Sequence, residues 1–178
     1  MGRYYYDKNS ITNSTCDVIC HQVNCRGAMN SGVAKAVREK WPEVYVNYKF
    51  WCDTNAAEDL LGREQMVLVE HESDRYVVNM FAQLNYGYDG KRYTSYDAFW
   101  NCLNELKQEM PEGATSIAFP YKIGCVRGGA EWEIIQLMIE KVFAKEYDIC
   151  YYYLDDNILE NLDSVRIWLN NKEEQRNG

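Results

Sequence analysis

Residues 21–37 read HQVNCRGAMNSGVAKAV, a pattern of strand, loop and helix. An apolar run over residues 17–20 leads into Asn24, small and polar residues continue to Gly32, and residues 33–37 have helical spacing. A loop between the carboxyl end of a strand and the amino end of a helix presents unpaired backbone N–H groups. Together with the helix dipole, these groups favour a bound anion. The stretch therefore predicts either a phosphate site or a tight strand-to-helix connection with nothing bound.

The composition limits the classes of function. The 178 residues suit a single domain over residues 1–178, with 171–178 as a frayed tail. Lys and Arg number 19 against 27 Asp and Glu, a net charge of -8 without any basic block, which argues against nucleic-acid binding. An acidic protein can still hold a phosphate through neutral backbone donors, which a glycine loop offers.

The cysteines and the apolar runs indicate the cellular compartment of the protein. The seven cysteines are odd in number and form no Cys-x-x-Cys pair, so we expect reduced thiols in a cytoplasmic protein and no metal site. No apolar leader follows Met1, and no run of 18 apolar residues occurs. We therefore expect a protein that is not exported and does not contact a membrane. We also expect a monomer without a cofactor.

Strands and helices alternate along the chain. Apolar or aromatic runs predict strands at residues 3–6, 17–24, 66–70, 76–81, 116–120 and 148–154. Helical spacing predicts helices at residues 33–41, 43–52, 95–110, 132–142 and 158–169. Residues 85–94 are rich in Tyr and Gly and predict an irregular loop. This alternation is typical of a mixed or parallel sheet covered by helices on both faces.

A second glycine loop, KIGCVRGG at residues 122–129, follows the strand at 116–120. Ligands of such sheets bind beyond the carboxyl ends of the strands. Because both glycine loops follow strands, we expect them to meet at one cleft. Gly27 and Gly32 in the first loop remove side chains where a ligand or another backbone must come close, and both tolerate a positive φ.

Several of these motifs resemble the macro domain family, in a microbial and phage-type branch related to ADP-ribose-1″-phosphatases. Asn24 followed by Gly32-Val33-Ala34 is similar to the family pattern of an Asn closing a strand before a glycine-rich loop that ends in Gly-Val-Ala. Residues 79–83, NMFAQ, with the Tyr-Gly loop after them, resemble that branch. So do residues 120–125, PYKIGC, followed by Gly128-Gly129 and a Trp-containing helix. The resemblance covers roughly residues 10–155.

The resemblance implies a three-layer α/β/α fold with a central mixed sheet. It also implies binding of ADP-ribose, or of a closely related NAD-derived nucleotide, between the two glycine loops. One class of function is then an enzyme: an ADP-ribose-1″-phosphate phosphatase, or a hydrolase of protein-linked or O-acetyl ADP-ribose. The other is a binding module that reads or sequesters ADP-ribose without turnover. A changed specificity for another phosphorylated nucleotide is a third alternative.

Carried over by position, the resemblance assigns a role to each part of the cleft. Asn24 would hydrogen-bond the distal ribose, residues 27–33 would wrap the ribose and the proximal phosphate, and residues 123–129 would close over the diphosphate. The ligand contacts implied are Ser10, Ile11, Asn24, Gly27, Met29, Asn30, Ser31, Gly32, Val33, Ile123, Gly124, Cys125, Val126, Arg127, Gly128 and Gly129.

The chain departs from the family pattern at several positions. Ser10 stands where macro domains commonly have an Asp that reads the adenine amino group, so adenine must be recognised more weakly or differently. Val126-Arg127 replaces the Gly-Leu usual in this branch, and a β-branched residue restricts the backbone there. Gln83 and Gly128 stand where some related hydrolases use a Lys and an Asp. These two residues argue against lysine-dependent removal of ADP-ribose from acidic side chains.

Two side chains are candidates for chemistry at the distal ribose. Glu131 directly follows the second glycine loop and could act as a general base, or it could be a carboxylate that the dipole favours at a helix start. His21 lies on the strand before the first loop and could protonate a leaving group, or it could be a hydrogen-bonded structural histidine.

Other polar and aromatic residues near the loops have two interpretations each. Asn24 either contacts a ligand or caps its own loop. Cys25 and Cys125 are either nucleophiles or small apolar filler. Arg127 either clamps a terminal phosphate or is a solvated loop charge. Three tyrosines form either a wall for adenine or ribose or a cover for the core: Tyr86, Tyr88 and Tyr93.

Overall fold

The computed structural model describes residues 2–155, in which six strands form one sheet in the order β1-β6-β5-β2-β4-β3. The strands are Tyr4–Lys8 (β1), Val18–Asn24 (β2), Glu64–Glu70 (β3), Arg75–Gln83 (β4), Ser116–Pro120 (β5) and Asp148–Tyr153 (β6). Neighbouring strands run parallel except β3 and β4, which form an antiparallel hairpin. The predicted mixed sheet is confirmed. The helix predicted at residues 158–169 and the tail at 171–178 lie outside the described residues.

Five α-helices occur in the described residues: Gly32–Lys40 (α1), Pro42–Thr54 (α2), Ala57–Leu60 (α3), Tyr96–Glu109 (α4) and Trp132–Phe143 (α5). Pro42 separates α1 from α2 because proline is tolerated in the first turn of a helix but not in its interior. The short α3 and a 3-10 helix at Ile11–Asn13 were not predicted, since four or three residues are too few to show helical periodicity.

The sheet is covered on both faces. One face packs on α4 and α5 through a core that includes Met80, Phe99, Phe119 and Ile139. The opposite face packs on the α1–α3 side through two smaller groups of apolar residues. Their members include Ile19, Val37 and Val44 in one group, and Val23, Tyr48, Leu60 and Phe81 in the other. The predicted three-layer α/β/α fold is therefore confirmed.

The topology brings three loops to one edge of the sheet. Strands β2, β4 and β5 are parallel, so their carboxyl ends point the same way. The loops at residues 25–31, 84–95 and 121–131 follow these strand ends. The first and third of these contain the two glycine motifs of the sequence.

Candidate functional site

A cavity of about 370 Å³ opens beyond the carboxyl ends of β2, β4 and β5, within the size range of small-molecule pockets. Asn24, Gln83 and Pro120, the last residues of the three strands, all contribute to its wall. The pairing of β2 with β4 is irregular at this point, since Val23 pairs with Phe81 and Asn24 with Gln83. Both glycine loops reach the cavity, and the first turn of α1 forms part of its wall.

Most of the expected ligand contacts line this cavity, and so does His21, one of the two catalytic candidates. Those in the wall are His21, Asn24, Asn30, Ser31, Gly32, Val33, Ile123, Gly124, Val126, Arg127 and Gly128. The structure places the other expected site residues outside the wall: Ser10, Ile11, Gly27, Met29, Cys125, Gly129 and Glu131.

The side chain of Asn24 organises the first glycine loop. Its Oδ1 accepts hydrogen bonds from the backbone N–H of Arg26 at 2.9 Å and from the hydroxyl of Tyr48 at 2.9 Å. Its Nδ2 donates to the carbonyl of Ala28 at 2.9 Å. These bonds match one of the two interpretations of Asn24, in which its side chain caps its own loop. Because Asn24 also lies in the cavity wall, capping the loop and contacting a ligand are compatible roles.

Gly27 and Met29 support the loop from behind. A Cβ on Gly27, whose φ is +82°, would lie 3.2 Å from Cδ of Lys49 on α2. Met29 is buried against the group of apolar residues that contains Tyr48 and Phe81. Gly27 therefore allows the loop to lie close to α2, and the buried Met29 side chain anchors the loop in the core.

The amino end of α1 faces the cavity. Ser31 is the N-cap residue, and its side chain makes no capping hydrogen bond. Gly32 has a φ of +58°, a conformation in which a side chain would be strained. The N–H groups in the first turn of a helix have no partner within the helix, so Gly32, Val33 and Ala34 present donors in the wall of the cavity.

The second glycine loop forms the facing side of the cavity. Gly124 and Gly129 have positive φ values of 75° and 71°, and Lys122 adopts a φ of 58° although it is not a glycine. A Cβ on Gly129 would lie 3.0 Å from Cα of Arg92, so this glycine permits close contact with Lys91 and Arg92. Gly129 thus allows the second glycine loop to pack against the loop at residues 84–95.

Two tyrosines from the loop at residues 84–95 complete the rim. Tyr86 and Tyr88 line the cavity with exposed rings, and the guanidinium of Arg127 lies 5.0 Å from the centre of the Tyr88 ring. This contact joins two loops across the cavity mouth. Tyr93 is not part of the cavity wall, and its hydroxyl donates to Asp89 Oδ1 of the same loop at 2.7 Å.

No protein-family model and no curated protein matches the sequence. Among solved structures, the macrodomain of Mycobacterium tuberculosis DarG has a TM-score of 0.71 over 85% of this chain and 98% of its own, at 19% identity. A protein of unknown function from Bacteroides thetaiotaomicron is 29% identical, with a TM-score of 0.73 over 85% of this chain and 98% of its own. Thermosipho africanus DarTG in complex with ADP-ribose is 20% identical, with a TM-score of 0.70 over 89% of this chain and 45% of its own.

These likenesses, with the strand order and the two helical layers, decide the fold. The chain has the macrodomain fold. The resemblance inferred from the sequence motifs is thereby confirmed at the level of the fold.

Ser10, which replaces the Asp common in macro domains, lies outside the cavity wall. Its hydroxyl accepts a hydrogen bond from the N–H of Thr12 at 3.3 Å and shares another with the Thr12 hydroxyl at 2.7 Å. Ser10 thus caps the 3-10 helix that follows, and Ile11 is buried in the core. The expected ligand contacts of both residues stay predictions, and these local bonds favour structural roles.

His21 has the environment of a structural histidine. The residue is 1% exposed, and its Nε2 lies 2.5 Å from Oδ1 of Asn79. Asn79 in turn donates to Gln65 Oε1 at 3.0 Å. Burial lowers the pKa of the His21 imidazole to about 4, and the bond to Asn79 offsets only part of this effect. The imidazole is therefore neutral at pH 7 and poorly suited to act as the general acid that the sequence suggested.

Glu131 is exposed at the N-cap of α5, with its backbone N–H donating to the hydroxyl of Tyr96 at 2.9 Å. It begins the helix as expected, but its carboxylate does not line the cavity. A general base must lie within hydrogen-bonding reach of the water that it activates. This position therefore favours the alternative of a carboxylate stabilised at a helix start over the expected catalytic role.

The two loop cysteines are poorly suited to nucleophilic chemistry. Burial raises the pKa of the Cys25 thiol to about 12 and that of the Cys125 thiol to about 11. Both are therefore protonated at pH 7, and Cys25 packs in the core beside Tyr48. These findings support the interpretation as apolar filler.

Sequence reasoning missed several residues of the wall. Gln22 was missed because a strand covered on both faces shows no alternation that would assign its side chains to a face. Its Nε2 donates to Gln83 Oε1 at 2.7 Å and to Thr94 Oγ1 at 2.8 Å, so it joins two strands to a loop. The other residues of the wall without an assigned ligand contact include Val23, Tyr121 and Lys122.

Across residues 2–155, no cluster of three or more His, Cys, Asp or Glu side chains is arranged to hold a metal ion. None of the helices in that range is long and apolar enough to cross a membrane.

Proposed function

We propose that this chain binds ADP-ribose or a closely related NAD-derived nucleotide in the cavity at the carboxyl edge of the sheet. The observation that carries the proposal is the cavity of about 370 Å³ enclosed by two glycine loops and the first turn of α1. The macrodomain fold supports it, and so does the fold neighbour from Thermosipho africanus, whose structure is described as a complex with ADP-ribose.

Backbone amides supply the anion site for the diphosphate. The first turn of α1 contributes the N–H groups of Gly32, Val33 and Ala34, and the helix dipole adds a partial positive charge. Lys122 and Arg127 also line the cavity, and no Asp or Glu belongs to the described wall. A phosphate therefore meets neutral and cationic groups here, although the whole chain carries a net charge of -8.

The aromatic rim gives the nucleotide its apolar contacts. Tyr86 and Tyr88 present exposed rings at the mouth, and Val33 adds an aliphatic surface at the start of α1. Such surfaces suit the faces of a base or a ribose. With Ser10 occupied in its own turn, this rim is our candidate for the surface that contacts the adenine.

The cavity wall favours binding over hydrolysis. Among the residues that the structure describes, the wall contains neither a carboxylate nor a thiol, and its histidine is neutral and held by Asn79. General acid–base catalysis needs a group that can exchange a proton at the reacting atoms. We therefore infer a module that reads or sequesters ADP-ribose, rather than an ADP-ribose-1″-phosphatase or a hydrolase of protein-linked or O-acetyl ADP-ribose.

Calorimetric titration with ADP-ribose tests the proposal, with AMP titrated in parallel. We expect a dissociation constant in the micromolar range for ADP-ribose and weaker binding of AMP, which lacks the second phosphate and the distal ribose. Absence of both heat and thermal shift with ADP-ribose would overturn the proposal. The search for a ligand would then turn to other phosphorylated nucleotides.

Replacement of Asn24 by Ala is expected to weaken ADP-ribose binding by about tenfold or more. The change removes four side-chain hydrogen bonds at the first glycine loop, each worth about 1 kcal/mol, so the loop loses its fixed shape. The matched control is Asn104→Ala, since the Asn104 side chain donates to the Trp100 carbonyl of its own helix. Equal affinities for Asn24→Ala and Asn104→Ala would contradict the prediction.

Replacement of Glu131 by Gln is expected to leave ADP-ribose affinity within about twofold of the parent protein. Any release of phosphate from ADP-ribose-1″-phosphate should likewise be unchanged, because the carboxylate is exposed outside the cavity wall. Phosphate release is measured at saturating substrate, with Glu133→Gln in the same helix turn as the control. A loss of turnover confined to Glu131→Gln would restore the catalytic interpretation.

A further inference from the structure

Thr94 joins the loop at residues 84–95 to both ends of the second glycine loop. Its side chain is 2% exposed, and its hydroxyl donates to the carbonyl of Gly124 at 2.8 Å. Its backbone N–H donates to the carbonyl of Gly128 at 2.9 Å, beside that of Tyr93 at 2.8 Å. One residue thus holds two carbonyls that lie four positions apart in the loop.

The contact with Thr94 explains two glycines of the second loop. A Cβ on Gly128 would lie 2.1 Å from Oγ1 of Thr94, and one on Gly124 would lie 3.1 Å from the same atom. Both distances are shorter than ordinary van der Waals contact. The loop can therefore pack on Thr94 only where these side chains are absent.

Thr94 is itself held in place by the sheet and by α4. It pairs with Gln83 in an isolated antiparallel bridge, and its Oγ1 accepts a hydrogen bond from Gln22 Nε2 at 2.8 Å. The next residue, Ser95, donates its N–H to the carbonyl of Ala82 at 2.8 Å and caps α4. Thr94 is therefore held by β2, β4 and α4, and its hydroxyl in turn holds the second glycine loop in a fixed position relative to them.

We propose that Thr94 is a positioning residue for nucleotide binding, which fixes the second glycine loop at the distance from β2 that a ligand requires. The proposal rests on the proposed function, because the ligand that the loop closes over is the nucleotide. Thr94 is absent from the cavity wall, so it acts through Gly124 and Gly128, which line the cavity.

The test compares Thr94→Val with Thr94→Ser in two measurements. Valine keeps the shape and the backbone N–H of threonine but lacks the hydroxyl, whereas serine keeps the hydroxyl. In the absence of any ligand, we expect faster hydrogen exchange of residues 122–130 in Thr94→Val and parent-like exchange in Thr94→Ser. In calorimetry, we expect Thr94→Val to bind ADP-ribose about tenfold more weakly and Thr94→Ser to restore most of the affinity.

Thr54→Val is the matched control, since Thr54 is exposed at the end of α2 and its hydroxyl donates to the Phe50 carbonyl of the same helix. Parent-like exchange in Thr94→Val, or equal losses in the Val and Ser variants, would overturn the role of the hydroxyl. If the parent protein fails to bind ADP-ribose, the proposed function fails. The exchange comparison then decides by itself whether Thr94 holds the loop.

Discussion

Gly128→Ala is expected to weaken ADP-ribose binding by about a hundredfold or more and to lower the free energy of unfolding by about 2 kcal/mol. The added Cβ would lie 2.1 Å from Oγ1 of Thr94 and 2.4 Å from the carbonyl oxygen of Gly124. Neither atom can withdraw easily, because the Gly124 carbonyl accepts bonds from Thr94 and from the N–H of Ala130. The loop must therefore move away from β2, and its amides leave their places in the cavity wall.

The matched control is Gly90→Ala in the neighbouring loop. A Cβ on Gly90 would meet no atom within 4 Å, although its φ of +76° carries a strain of about 1 kcal/mol for alanine. Gly128 lies outside the left-handed region, so only its contacts disfavour a side chain there. Thermal unfolding and calorimetry of both variants separate the two effects. Parent-like affinity of Gly128→Ala would show that the loop tolerates the displacement.

The strand-loop-helix unit at residues 17–41 could be predicted because its periodicity changes within a short stretch. The apolar run ends at Asn24, glycines follow, and helical spacing begins next to Gly32. The parallel arrangement of β2, β4 and β5 then places their loops at one edge. The location of the cavity thus follows from local pattern and general topology.

The details of the cavity wall could not be predicted because they depend on contacts distant in sequence. Thr94 lies in a loop without periodicity, and its role comes from a carbonyl 30 positions further along the chain. Ser10 was assigned to the ligand by position within a family pattern, but its hydroxyl is engaged with Thr12. A family resemblance indicates which positions of the chain correspond, but it does not indicate which groups a side chain contacts.

The start of β3 was placed too late for a related reason. The sequence predicted a strand from residue 66, since Glu64 and Gln65 are polar, but both belong to β3 and both are buried. Glu105 on α4 accepts a hydrogen bond from the backbone N–H of Glu64 at 2.8 Å, so α4 covers this end of the strand. Polarity alone therefore gave the wrong start for this edge strand.

We expect the buried carboxyl of Glu64 to make the free energy of unfolding depend on pH. Glu64 is 2% exposed, and its carboxyl lies within hydrogen-bonding reach of the Glu109 carboxyl at the end of α4. Burial, with the neighbouring carboxyls of Glu109 and Glu105, raises the pKa of Glu64 from 4.5 to about 9. The folded protein thus holds this proton at pH 7, whereas the unfolded chain releases it.

Glu64→Gln is expected to raise the free energy of unfolding at pH 7.5 by about 1–3 kcal/mol. Between pH 4.5 and the folded pKa, each pH unit lowers the free energy of unfolding of the parent by about 1.4 kcal/mol. The reason is that Glu64 ionises in the unfolded chain but stays protonated in the folded protein. The contribution is therefore fully present below pH 4.5 and is lost as the pH rises towards 9. Glutamine cannot ionise and escapes this loss, and the burial of its amide offsets part of the gain.

Urea unfolding at pH 5, 7.5 and 8.5 checks the sign and the slope of this effect. The advantage of Glu64→Gln should be small or absent at pH 5 and should grow with each step towards pH 8.5. Glu72→Gln, in the exposed turn of the same hairpin, should show no such growth. A constant difference between Glu64→Gln and the parent at all three values would mean that Glu64 is ionised in the folded state. In that case the edge of the sheet between β3 and α4 must open enough to hydrate the carboxylate.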